Sequence, residues 1–166
     1  MKHQAGQQDP KSVGDGAVGG SQAADAALER LSRAIETMAD GCLLSDAEDR
    51  IVLCNRSQRQ LFSMVPPDQI LGMRFEDLVR AALAGGLYPD AEGREEEWLA
   101  ERMRRHAEPG PALEVWRKDG RGLLIHEQNL PDSGTITFAT DITERRQTQE
   151  ALREHEARLR AIIDNT

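Results

Sequence analysis

The chain has 166 residues, with 21 Lys and Arg against 29 Asp and Glu, and a formal charge of −8. That length suits one domain with appendages and a single hydrophobic core, while the acidic balance argues against broad binding to nucleic acid or anionic membrane, which needs a basic field. No run of about 18 apolar residues occurs, so no membrane-spanning segment is predicted, and the two cysteines, Cys42 and Cys54, are too few for a disulfide scaffold.

Met1-Lys2-His3-Gln4 leads into Ala, Gly and Gln rather than an apolar stretch, so no secretory leader is expected and a cytoplasmic location is predicted. Residues 1–22, rich in glycine, read as a disordered lead-in that cannot bury enough apolar surface to offset chain ordering. Over residues 23–39, Leu28, Leu31, Ile35 and Met38 recur at helical steps close to a heptad seam. Asp40-Gly41 reads as the stop of that helix, with glycine in a left-handed cap. The seam belongs either to a helix lying on its own domain or to one paired with a second copy.

The run Gly41–Asn55, GCLLSDAEDRIVLCN, places two short apolar stretches around Asp46-Ala47-Glu48-Asp49-Arg50. Its length and the β-branched Ile51 and Val52 predict a hairpin. If Asp46 pairs with Arg50, Cys42 and Cys54 fall opposite one another. A redox role then stands beside the commoner one of inert small hydrophobes. Asn55 is a natural N-cap, with Gln58 in the capping-box position. Pro66-Pro67-Asp68 starts another turn that Gly72 stops. Phe75, Leu78, Val79 and Leu83 form a further helical face, and 94–107 is a third helix with Trp98, Leu99, Arg102, Met103 and His106 on one side. Three strand-like runs follow, 112–118, 123–130 and 135–140, separated by the turn signals DGRG and PDSG. Strands segregated from helices in this way predict an α+β fold with an antiparallel sheet. Asp141-Ile142-Thr143-Glu144 reads as a capping box, opening a polar helix to about Ile163 whose thin seam is Leu152, Leu159 and Ile162. A helix this polar needs a partner to be stable.

Five pieces, IETMAD (35–40), GCLLSDAEDRIVLCN (41–55), ILGMRFEDLVR (70–80), KDGR (118–121) and TDITERR (140–146), together resemble a PAS domain with its C-terminal PAC segment, the sensory module of bacterial signalling proteins. The likeness covers about residues 28–163. It implies a five-stranded antiparallel sheet with helices over one face, flanked by N- and C-terminal amphipathic helices. The resulting organisation is a lead-in (1–22), an N-terminal helix (23–39), a PAS/PAC core (40–143) and a linker helix (144–166). The resemblance further implies a homodimer that relays ligand or partner state to an output domain of histidine kinase or diguanylate cyclase type. Residues 149–166 resemble the connector to a further PAS domain, so a piece of a longer two-component sensor is expected. The alternative is a ligand-free dimerisation spacer with a packed core.

On this reading Asp141, Ile142, Thr143 and Glu144 form the signal-transmitting joint. Leu28, Leu31, Ile35, Met38, Leu152, Leu159 and Ile162 are the dimer seam. Phe75, Leu78, Trp98, Leu99, Met103, His106, Ile125 and Phe138 are walls of a pocket for an unknown small molecule, and equally of a filled core. No catalytic or metal set is predicted and no cofactor is required. His106 stands where some relatives carry an axial haem ligand, though a packing or capping histidine is the stronger reading. The stretch 55–62 lacks the cysteine that flavin photoadducts use. His155-Glu156 resembles a phosphoacceptor box, but Leu159-Arg160 replaces its usual Thr-Pro.

Overall fold

A computed structural model describes residues 16–131 and 134–164. The chain divides after Ile35 into two units, each taken by itself. Helix α1 (Gly16–Glu36) takes up the described residues of the first, its last residue falling in the second. It starts inside the segment expected to be disordered and runs on through Ala23, Ala24, Ala26 and Ala27, which are strong helix formers. It also stops short of Met38, which follows the helix rather than belonging to its seam.

The second unit is built on strands β1 (Gly41–Ser45), β2 (Ile51–Cys54), β3 (Leu113–Trp116), β4 (Gly122–Asn129) and β5 (Thr135–Asp141). They form one sheet in the order β2-β1-β5-β4-β3 with every neighbouring pair antiparallel. Helices α2 (Arg56–Leu61), α3 (Pro67–Ile70), α4 (Phe75–Ala84) and α5 (Glu95–Ala107) lie between β2 and β3 in sequence, and α6 (Thr143–Asp164) follows β5. The core packs Leu43, Ile51, Cys54, Val115, Leu123 and Ala139 of the sheet against Leu61, Phe62, Ile70, Phe75, Leu78, Val79, Ala82 and Leu99.

Gly41 does not cap a helix; it opens β1, and its φ is not positive. A Cβ there would stand 2.1 Å from Gln58 Oε1, so the residue is small to admit the Gln58 amide. Asn55 caps α2 as expected: its Oδ1 accepts from Gln58 N–H (3.0 Å) and Cys42 N–H (2.8 Å), and its Nδ2 donates to Asp40 O (2.9 Å). One side chain thus joins α2, β1 and the segment before it. Gln58 makes no reciprocal bond, because the Asn55 N–H already donates to Cys42 O (3.0 Å).

The hairpin register departs from expectation at one point. Asp46 N–H does donate to Arg50 O (2.9 Å), and Ser45 faces Ile51, but Leu44 faces Leu53 and Leu43 faces Cys54. A β-bulge at the exposed Val52 adds one residue to β2. Cys42 therefore points to the face opposite Cys54, and the cross-strand thiol pair does not form. Phe138 pairs with Cys42 on that same outer face, since Thr137 and Ala139 point inward. It is not a wall of the interior.

Gly134 sits just before β5, beside the end of its neighbour β1, and a Cβ there would lie 2.5 Å from the Ser45 backbone carbonyl. Gly134→Ala is expected to cost about 1–3 kcal/mol through forced separation of the strands; equilibrium urea denaturation checks it.

Candidate functional site

Helix α5 carries Leu99, Arg102 and His106 on one buried stripe, the i, i+3/i+4 spacing that stacks side chains along one face. Alternation along β4 turns Leu123, Ile125 and Glu127 toward that stripe. The buried Arg102 binds Glu127 through two parallel bonds, of 2.8 and 2.7 Å. His106, only 3% exposed, places Nδ1 2.7 Å from Glu127 Oε1 and Nε2 3.0 Å from Asp49 Oδ1. Thr137 Oγ1 donates to the same Glu127 oxygen (2.9 Å), and Ser45 Oγ lies 3.5 Å from His106 Nε2. The Phe75 ring stacks on the imidazole with centroids 3.8 Å apart, and Arg102 Cζ lies 5.0 Å from the same ring. Burial opposes ionisation of Glu127, but hydrogen bonds from His106 and Arg102 outweigh it and hold the carboxyl down at about 2.

Beside this cluster the interior keeps a cavity of about 20 Å³ lined by Gln58, Phe75, Tyr88, Arg102, Arg117 and Thr137 among others. Gln58 Oε1 and Arg117 Nε, both buried, line it without a hydrogen-bond partner. The space fits about one water, which would donate to the first and accept from the second. Haem or flavin needs several hundred Å³, and both His106 nitrogens are taken by carboxylates. This interior cavity therefore holds neither cofactor, and His106 has no ring nitrogen free for iron. Among the described residues no group of three His, Cys, Asp or Glu side chains is arranged to hold a metal ion.

Of the expected pocket walls, Phe75 and Ile125 line this cavity. Leu78 and Leu99 are solid core, and Trp98 and Met103 pack at its edge, Trp98 stacked on Tyr88 with centroids 4.6 Å apart. Asp49, Arg102, Glu127, Gln58 and Arg117 were not anticipated as site residues. The one legible signal was a carboxylate at an inward position of an apolar-alternating strand.

Burial raises both thiols, Cys54 to about 12, which leaves little thiolate at neutral pH. An aromatic disulfide reagent at about pH 8 is expected to label neither cysteine until the protein is unfolded; rapid stoichiometric labelling of the native chain would contradict this.

The second feature is the joint between β5 and α6. Asp141 Oδ1 accepts from Thr143 N–H (2.9 Å) and Thr143 Oγ1 (2.5 Å), and these bonds hold its carboxyl below the usual range. Thr143 Oγ1 accepts from Gly122 N–H (3.0 Å), and Ile142 N–H donates to Gly122 O (2.8 Å). Ile142 is buried, and Arg146 pairs with Glu114 of β3. The start of α6 is thus tied to β3, β4 and β5 together. Glu144 is exposed and makes no hydrogen bond through its carboxylate among the described residues, so the reciprocal half of the expected capping box does not form. Beyond the joint α6 buries none of its described residues; Leu152, Leu159 and Ile162 are exposed. In α1, Leu28 and Leu31 are exposed and Ile35 half-buried. No helix among the described residues is long and apolar enough to cross a membrane.

The chain matches the family model described as PAS fold over residues 35–150. It is 32% identical over 142 residues to the non-motile and phage-resistance protein of Caulobacter vibrioides, a match covering 84% of this chain and 15% of that protein. The chain therefore spans about 15% of that relative's length. Among solved structures, the PAS domain of Bordetella pertussis BvgS is 23% identical, with 83% of this chain and 98% of that one covered and a TM-score of 0.46. A domain of the sensory box sensor histidine kinase/response regulator from Geobacter sulfurreducens is 20% identical, with 76% and 98% covered and a TM-score of 0.42.

Proposed function

The chain belongs to the PAS fold family, and from that premise we propose that it dimerises and passes a sensed state through α6 to an output domain of histidine kinase or diguanylate cyclase type. The carrying observation is the joint at Asp141-Ile142-Thr143. Any change in the position of β3, β4 or β5 is transferred to the start of α6, because hydrogen bonds and an ion pair link that helix to all three strands. A two-state element of this kind needs only a few kcal/mol of differential affinity to shift its population. The exposed apolar residues of α6 would meet those of a second copy, and the C. vibrioides relative is several times longer than this chain, leaving room there for further domains.

Fusion of this chain to a reporter histidine-kinase core tests the reading. Sedimentation equilibrium should give a dimer. Asp141→Ala should change kinase output several-fold while lowering the thermal midpoint of the core by only a few degrees, the cost of a lost capping bond. A monomeric fusion, or output indifferent to Asp141→Ala, would overturn it.

The small interior cavity favours a second reading, a dimerisation spacer without a ligand. Native mass spectrometry separates the two: a reproducibly retained small molecule supports ligand sensing, and a bare chain mass supports the spacer or a signal that needs no organic ligand.

A further inference from the structure

His106 has carboxylate oxygens at both ring nitrogens, Glu127 at 2.7 Å and Asp49 at 3.0 Å. An ionised carboxylate only accepts, whereas a neutral imidazole has one N–H and one lone pair. The ring can therefore satisfy both partners only as the imidazolium. Charge counting agrees. Arg102 and a protonated His106 balance Glu127 and Asp49, whereas a neutral ring leaves one excess negative charge, three of the four groups being nearly fully buried.

We infer that His106 is a proton-operated latch that holds the β1–β2 turn against α5 and β4, so that the signal read by this domain is proton concentration. This deepens the sensory reading above and rests on it for its biological meaning, but not for its chemistry. Asp49 is the moving part. It sits in the turn with φ of +61°, a left-handed conformation unusual for a residue with a Cβ, and its backbone carbonyl accepts from Phe75 N–H at the start of α4 (3.0 Å). When the proton leaves Nε2 for solvent, Nδ1–H stays on Glu127 and the new lone pair at Nε2 repels Asp49. Ser45 Oγ, 3.5 Å from Nε2 and now donating to Thr135 O (3.4 Å), can turn its hydrogen toward the lone pair. A second arrangement is thus already within reach. The proton leaves through a surface cleft lined by Asp46, Asp49, Met103, His106, Asn129 and Thr135.

Among the described residues, the groups facing His106 from each packed element are few. Glu127 comes from β4, Asp49 and across the cleft Asp46 from the turn, and Arg102 from one turn earlier on α5. Phe75, Ser45, Thr135 and Thr137 contribute no charge. Asp46 Oδ1 accepts from the Glu48 and Arg50 N–H groups of its own turn (3.1 and 2.8 Å), which orients this carboxylate within the turn.

Long-range ¹⁵N–¹H correlation of the His106 ring, with backbone amide spectra, tests this in the full chain between about pH 5 and pH 9. The expected result is two protonated ring nitrogens at the acid end and Nδ1–H alone at the alkaline end. The amides of Glu48, Asp49 and Arg50 should move with the same midpoint as the ring. Asp49→Asn should abolish their pH dependence, since its amide donates to a neutral Nε2 and keeps the turn closed. A ring with one proton throughout, a ring with two throughout, or turn amides that ignore the ring would each overturn the latch. These readouts need neither a dimer nor an output domain. A latch that titrates in a fusion whose output ignores Asp141→Ala would leave the proton chemistry intact and remove the sensory reading.

Discussion

Glu127→Ala is expected to lower the stability of the domain by about 3–5 kcal/mol, because it strands the buried Arg102 without its counter-charge and leaves His106 Nδ1 without its partner. Both guanidinium bonds, the Nδ1 bond of His106 and the Thr137 hydroxyl bond converge on this one carboxylate. Chemical denaturation measures the loss. The double variant Arg102→Leu/Glu127→Leu should recover most of it, since replacing both partners by apolar groups removes the uncompensated charge. If the double variant is as unstable as the single one, packing rather than charge pairing explains the effect. The same carboxylate dictates an acid limb. Held down at about 2 in the fold, below the ordinary glutamate value of 4.5, the carboxylate lends its stabilisation above about pH 4.5 and loses it as pH falls toward 2. That stabilisation amounts to roughly 3 kcal/mol. Glu127→Gln should flatten that limb.

Ile142→Ala is expected to cost about 2–5 kcal/mol, the range for truncating a buried β-branched or leucine side chain. Its consequence is local as well as global. Ile142 is the buried residue between β5 and α6, and its N–H donates to Gly122 O. Beyond the first turn, α6 has only exposed side chains, and an isolated polar helix of this length is marginal in water. Hydrogen exchange should therefore show the amides of α6 losing protection before those of β4 and β5. Uniform loss across all three would mean that the joint is not a separate cooperative unit.

Much of the architecture was legible locally. The Asn55 cap, the Gly72 stop, the turn signals around Gly120 and the Asp141-Ile142-Thr143 joint all act over two to four residues, and the structure places α2, α3, β3, β4, β5 and α6 within a few residues of the boundaries they imply. The candidate site was less legible. The Arg102 and His106 stripe showed in the helical period, but its partners did not. Asp49 is 57 residues away in sequence and Glu127 is 21, and they meet the imidazole only because the order β2-β1-β5-β4-β3 sets β1 and β4 on either side of β5.

Single-residue shifts decided the rest. One bulge at Val52 turns Cys54 to the face opposite Cys42, so the imagined thiol pair becomes two separate buried thiols, while the β1–β5 register sets Phe138 beside Cys42 on the outer face. Composition and short-range pattern determined the class of fold, the order of its elements and the helix leaving the sheet, since caps, turns and periodicity are properties of neighbours along the chain. Strand order and register decided which charges share the interior, because the cost of burying a charge depends on what stands beside it in space.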